Sequence, residues 1–211
     1  MLTATLLGFA LGLRHAFDPD HVIAVSTIAA RQRSPWTASW IGVSWGLGHG
    51  ATVFAAGFAI IALGIAVPES FAHAMEFAVG ALLVVLGVAN LAASAPEPAA
   101  CEIDSPRSLQ SVLARSGLIG LAHGLAGSAA VVLLAMAAMP TPAAALVYLV
   151  VFAVGTIAGM VLFSMLVGTP FAALGSRPQM RRLVTASTGL ASLVFGAYLM
   201  YEIGSLPGFP A

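Results

Sequence analysis

The sequence predicts an all-α integral membrane protein, with six transmembrane helices in two inverted three-helix repeats and the first helix broken at Asp18-Pro19. Three observations predict it. Of 211 residues, 60% are hydrophobic and only 8% are charged, whereas a water-facing domain carries about 25% charged residues. Charge-poor runs recur six times at lengths that suit a bilayer, which a helix of about 20 apolar residues crosses. A faint self-similarity at a near-constant offset divides the chain in two.

The runs fall at about 3–30, 37–64, 71–93, 115–138, 143–174 and 180–203. The first is interrupted by Arg14-His15-Ala16-Phe17-Asp18-Pro19-Asp20-His21. Pro19 lacks an N–H and its ring collides with the His15 carbonyl, while Asp18, directly before it, is pushed out of α geometry. A break is therefore expected there. An alternative reads Asp18-Pro19-Asp20 as an external turn, but residues 2–13 then reach only about 18 Å as a helix, too short for a bilayer. The second run starts with Trp36, Trp40 and Trp45 and holds His49 at mid-length; Trp36 suits the membrane interface. The third has His73 and Glu76 near its outer end. The fourth contains Gly120-Leu121-Ala122-His123, and residues 124–130 are small enough for close helix contact. The fifth is long and is expected to break near Gly168 to Pro170. Arg181-Arg182 mark the start of the sixth.

One domain covers 1–211: repeat one 1–94, a cytoplasmic loop 95–113, and repeat two 114–211. Gly12-Leu13-Arg14-His15 matches Gly120-Leu121-Ala122-His123, 108 positions later. Gly46 and Gly50 match Gly155 and Gly159, and Gly80 and Gly87 match Gly189 and Gly196, both 109 positions later. Three spans per half is an odd number, so the second half inserts inverted, an arrangement common among transporters.

Lys+Arg and Asp+Glu both number 8, and every basic residue is Arg. Seven of these arginines lie in the loops after spans one, three and five, and the opposite side has none. The positive-inside rule then puts both termini outside the plasma membrane, the inner membrane of a bacterium. No basic stretch exceeds Arg181-Arg182, so nucleic acid is not an expected partner. The lipid bilayer is, and the sequence leaves room for a homo-oligomer or an accessory subunit. The single Cys101 excludes an intrachain disulfide and a Cys-pair metal motif. The N-terminus lacks the basic start and cleavage site of a signal peptide.

Five ionisable side chains within residues 14–21 are expensive to insert, at roughly 2.5–3.5 kcal/mol for each Arg or Asp at mid-helix. Imidazoles beside carboxylates without a thiolate form a donor set for a borderline divalent cation. The expected ligands are His15, Asp18, Asp20, His21 and His49, with Arg14 and His123 as pathway residues. Asp18 or Asp20 either coordinates the ion or accepts a hydrogen bond from a ligand imidazole. Arg14 needs a carboxylate or carbonyl partner at this depth.

His15, four intervening residues, then Asp20-His21, preceded by Arg14, resembles the signature of the NiCoT nickel/cobalt transporters. Leu47-Gly48-His49-Gly50-Ala51-Thr52-Val53 resembles that family's second motif. The resemblance covers about residues 8–55, and the rest follows only in general layout. Typical members have eight spans and a later Phe-Asp-Thr-Ala-Thr-Glu-like motif. Here the corresponding segment, 122–128, has no carboxylate, so the chain is more similar to the compact six-span branch labelled urease-accessory or nickel-transport proteins. The resemblance implies a secondary transporter that takes up Ni²⁺ or Co²⁺ as substrate and binds no tight cofactor. It is not expected to be an enzyme, and no Gly-x4-Gly-Lys-Ser/Thr nucleotide motif is present. The alternatives are an intramembrane metal-dependent enzyme and a non-transporting membrane subunit for metalloenzyme maturation.

Overall fold

The computed structural model describes residues 2–32, 34–63, 68–94, 106–175 and 177–206. Cys101, Arg33 and residues 95–105 of the expected loop lie outside them, as do the side chains of 127–138, including Ser128. Among the described residues there are seven helices and no strand: α1 Leu2–His15, α2 Pro19–Ala29, α3 Pro35–Leu63, α4 Glu69–Ser94, α5 Pro106–Ala138, α6 Pro142–Gly175 and α7 Pro178–Gly204. The protein is an all-α membrane protein. Among the described residues, four helices are long and apolar enough to cross a bilayer, over Pro35–Leu63, Glu69–Ser94, Pro142–Leu174 and Pro178–Gly204.

The helix boundaries follow from local chemistry. Five helices begin with proline, whose fixed φ suits the first helical position and whose missing N–H would have no intrahelical partner there. α4 begins with Glu69, whose charge suits a helix N-terminus. Two expectations need correction. α5 starts at Pro106, so residues 106–113, which hydropathy assigns to the loop, are helical; their polar side chains say nothing against helix, only against lipid. α6 runs unbroken through Pro170. Pro170 lies less than two turns from the helix end, so the backbone bond it forfeits costs little continuity. The Thr169 hydroxyl donates to the Met165 carbonyl at 2.7 Å one position earlier.

α3 is the central element and packs along α5 and α6, while α4 packs on α7 and α1 on α6. Trp45, Ile41, Leu83, Leu149 and Met160 are fully buried between them. Apolar side chains such as Leu47, Val85, Leu162 and Leu190 cover the outside, the arrangement of a bundle solvated by hydrocarbon. Helices are joined by hydroxyl and amide donors: Asn90 Nδ2 to the Thr27 carbonyl at 2.7 Å, Ser192 Oγ to Leu83 at 2.7 Å, Ser44 Oγ to Leu113 at 2.7 Å and Ser116 Oγ to Ile41 at 3.0 Å. Such bonds and small residues are what hold helices together where lipid removes the hydrophobic drive.

Glycine sets the closest approaches. A Cβ on Gly12 would overlap the Phe152 carbonyl, and one on Gly120 would overlap the Trp45 carbonyl. Gly155 meets the Phe9 carbonyl and Leu13 amide; Gly48 meets the Gly117 carbonyl and Leu121 amide. Between α4 and α7, Gly80 faces Gly196 and Met200, while Gly189 faces Gly87 and Leu91.

Candidate metal centre

The break between α1 and α2 builds the site. α1 ends at His15, and the Phe17 and Asp18 amides donate to the Arg14 and His15 carbonyls at 2.9 and 3.0 Å, closing a turn. Asp18 is extended (φ −62°, ψ 143°), the conformation favoured before proline. It stands at the N-cap of α2, yet its carboxylate does not cap the helix. It accepts instead from His15 Nδ1 at 2.6 Å. Asp20, in the first turn of α2, accepts from His21 Nδ1 at 2.9 Å.

These two bonds orient the imidazoles. A carboxylate at Nδ1 fixes the proton there and leaves the Nε2 lone pair for a cation, the usual support of a metal-bound histidine. The third imidazole comes from α3. His49 lies at the centre of the 29-residue helix, about 21 Å from either end at 1.5 Å per residue. His15 Nε2 and His49 Nε2 are 3.2 Å apart. The ring centroids of His15, His21 and His49 form a near-regular triangle of 4.6, 5.0 and 5.1 Å. One ring nitrogen from each lies within 4.8 Å of the others. Two nitrogens bound to one ion at about 2.0–2.1 Å lie roughly 3 Å apart when adjacent, so the His15–His49 spacing already fits, and a His21 nitrogen lies within 4.8 Å of both.

Burial grades across the cluster. The His15 side chain is 15% exposed, His21 3% and His49 0%. Trp45 stacks on His49 with ring planes 11° apart and meets His21 edge-on at 4.6 Å. Phe152 of α6 packs against His15 at 5.3 Å. His123 of α5 is buried, with its ring 5.6 Å from His21. Buried nitrogens without a hydrogen-bond partner include His21 Nε2, His49 Nδ1 and His123 Nε2. Buried polar atoms are ordinarily satisfied, and three imidazoles with unsatisfied nitrogens in one place suit an electrophilic guest.

Of the residues singled out from sequence, His15, His21 and His49 converge, Asp18 and Asp20 sit behind two of them, and His123 borders the group. Arg14 does not join it. Its side chain is exposed and makes no ion pair with another described residue, including Asp18 and Asp20. The expectation of a buried partner for Arg14 fails because α1 turns that side outward at its last turn. Without Arg14, two carboxylates face the imidazoles, and their formal charge matches one dication. His73 and Glu76 lie early in α4 and are not part of the histidine cluster. Asn90 serves as a helix tie, and Thr156 donates to Phe152 within its own helix at 3.0 Å. Sequence reasoning missed Phe152 as a wall of the site, since nothing local sets one phenylalanine in a charge-free run apart.

The chain is 35% identical to the urease accessory protein UreH of Bacillus sp. (strain TB-90), an alignment covering 99% of this chain and 95% of that one. It is 25% identical to the chloroplast protein FOR GROWTH AND FERTILITY 2 of Arabidopsis thaliana and 29% identical to FOR GROWTH AND FERTILITY 1. Those alignments cover 93% and 92% of this chain but 55% and 56% of the plant proteins, so the chain spans about half their length. No protein-family profile and no solved structure matches the chain.

Proposed function

The chain belongs to the family of the urease accessory protein UreH, and from that premise we propose that it is a secondary transporter that carries a divalent transition-metal cation, Ni²⁺ or Co²⁺, across the membrane. The observation that carries the reading is the convergence of His15, His21 and His49 at mid-helix depth, two of them backed by carboxylates. Nitrogen donors without thiolate suit a borderline dication. Three neutral ligands leave coordination positions free for water, so the ion is held without being caged.

The proposed architecture is six spans in two inverted repeats, with α1 and α2 together as span one. The glycine contacts support it by exchange. The Gly80–Gly196 approach becomes the Gly189–Gly87 approach when each residue is moved by 109 positions into the other half. Gly12 on Phe152 likewise becomes Gly120 on Trp45, and Gly155 on Phe9 becomes Gly48 on Gly117. These pairs align α3 with α6 at an offset of 107, one that matches Gly48 with Gly155 in place of the Gly46 and Gly50 match read from sequence. In this reading the halves rock about the site to expose it alternately, with both termini outside and uptake as the direction.

The name of the bacterial relative favours a second reading, a membrane subunit that serves urease maturation without moving an ion itself. Flux through proteoliposomes containing the purified chain separates the two. Saturable Ni²⁺ or Co²⁺ uptake by the wild type, abolished in His21→Ala, is the expected result. Binding without flux in the wild type would favour the subunit.

A further inference from the structure

We propose that His123 forms, together with His21, a second cation position, to which the ion passes from the His15, His21 and His49 cluster. The inference rests on the transport reading and assigns it a second step.

The tautomer of His123 is fixed by a backbone carbonyl. A carbonyl only accepts, so the 3.0 Å contact with Ile119 requires the proton on Nδ1. Nε2 therefore carries a lone pair. It is buried, it has no partner, and the residue is 2% exposed. Such an atom leaves a hydrogen-bonding capacity unused in a medium where that is costly. Its nearest imidazole is His21, whose Nε2 is also buried and unpartnered, with ring centroids 5.6 Å apart and planes at 76°. His123 is not one of the three residues whose ligating atoms lie within 4.8 Å of one another. It is adjacent to that cluster and distinct from it.

In this conformation the helix around His123 is seated on α3. Gly120 lies against the Trp45 carbonyl and Gly124 against His49, so α5 touches the α3 backbone one turn before His123 and again just after it. With the ring held, the ion must travel. Accessibility gives the side of entry: the His15 side chain is 15% exposed, whereas His21, His49 and His123 are all buried. His21 faces both neighbours and is the shared ligand. His15 and His21 belong to the first half of the chain and His123 to the second, so transfer at His21 moves the ion from one half toward the other.

The test compares equilibrium Ni²⁺ binding in detergent with Ni²⁺ flux in proteoliposomes for the wild type, His123→Ala and His123→Phe. The Phe variant keeps ring volume against Trp45 and His21 without a ligand atom, and it serves where the Ala variant does not fold. Expected for a folded variant is binding within about threefold of wild type with flux reduced at least tenfold. Flux equal to wild type overturns the second position, and so does a fall in affinity that matches the fall in flux, because His123 would then be part of a single site. Wild-type protein that binds Ni²⁺ but never transports it overturns the transport reading itself.

Discussion

α1 with α2, and α5, occupy comparable places yet are built differently. α1 lies on α6, and α5 lies on α3, each with a glycine against the facing backbone: Gly12 at Phe152 and Gly120 at Trp45. The first is broken by Pro19 and carries His15, Asp18, Asp20 and His21. The second runs unbroken for 33 residues and keeps His123. Packing position and chemistry are thus set by different residues. Glycines fix where a helix lies, and a proline with two carboxylates adds a polar turn to one of the two helices without moving it from its seat.

The largest effect is expected where chemistry alone is removed. His49→Ala should raise the Ni²⁺ dissociation constant by more than about 100-fold, beyond what loss of a supporting acceptor costs, as isothermal titration would read. Retention of wild-type affinity would mean the break does not build a cation site at all. The two carboxylates sharpen the same side of the comparison. Asp20→Asn should weaken binding about 10–100-fold. Asp18→Asn should cost less, because the Asp18 side chain is 47% exposed and water screens it, whereas that of Asp20 is 28% exposed. An effect of Asp18→Asn larger than that of Asp20→Asn would reverse their assigned roles.

Packing is tested next. Gly12→Ala and Gly120→Ala should each lower stability by about 1–3 kcal/mol through backbone overlap, seen as similar drops in melting temperature in detergent. A large effect at Gly120 with none at Gly12 would show that the broken helix tolerates what the continuous one does not. Smallest is Asn90→Ala, which removes the bond to the Thr27 carbonyl at 2.7 Å and a long one to the Thr188 hydroxyl at 3.5 Å and should cost about 1 kcal/mol with the Ni²⁺ affinity unchanged.

Much of this was legible in the residues. Hydropathy located α3, α4, α6, α7 and most of α5, because membrane solvation forces long apolar runs, while one run held both α1 and α2. Pro19 announced the break, since its ring excludes helix at a definite position. The His-x4-Asp-His spacing flagged His15, Asp20 and His21. What stayed hidden depended on rotation about helix axes. The sequence does not say that Arg14 faces outward while His15, one residue on, faces inward. Nor does it say that Asp18 bonds to the imidazole three residues before it while Asp20 bonds to the one directly after. Phe152 becomes a wall of the site only once α6 is brought beside α1. Pro170 misled because the pattern gives the presence of a proline but not how near the helix is to its end.

Gly80 and Gly87 meet α7 two turns apart, about 10 Å along the axis. Chain pressed to chain at two such points is held along a line. The α4–α7 pair is therefore stiff, and each half of the molecule contributes one member of it. Any swing of one half against the other is then like the covers of a book turning on a bound spine, and a substitution that loosens that binding would disturb every page at once.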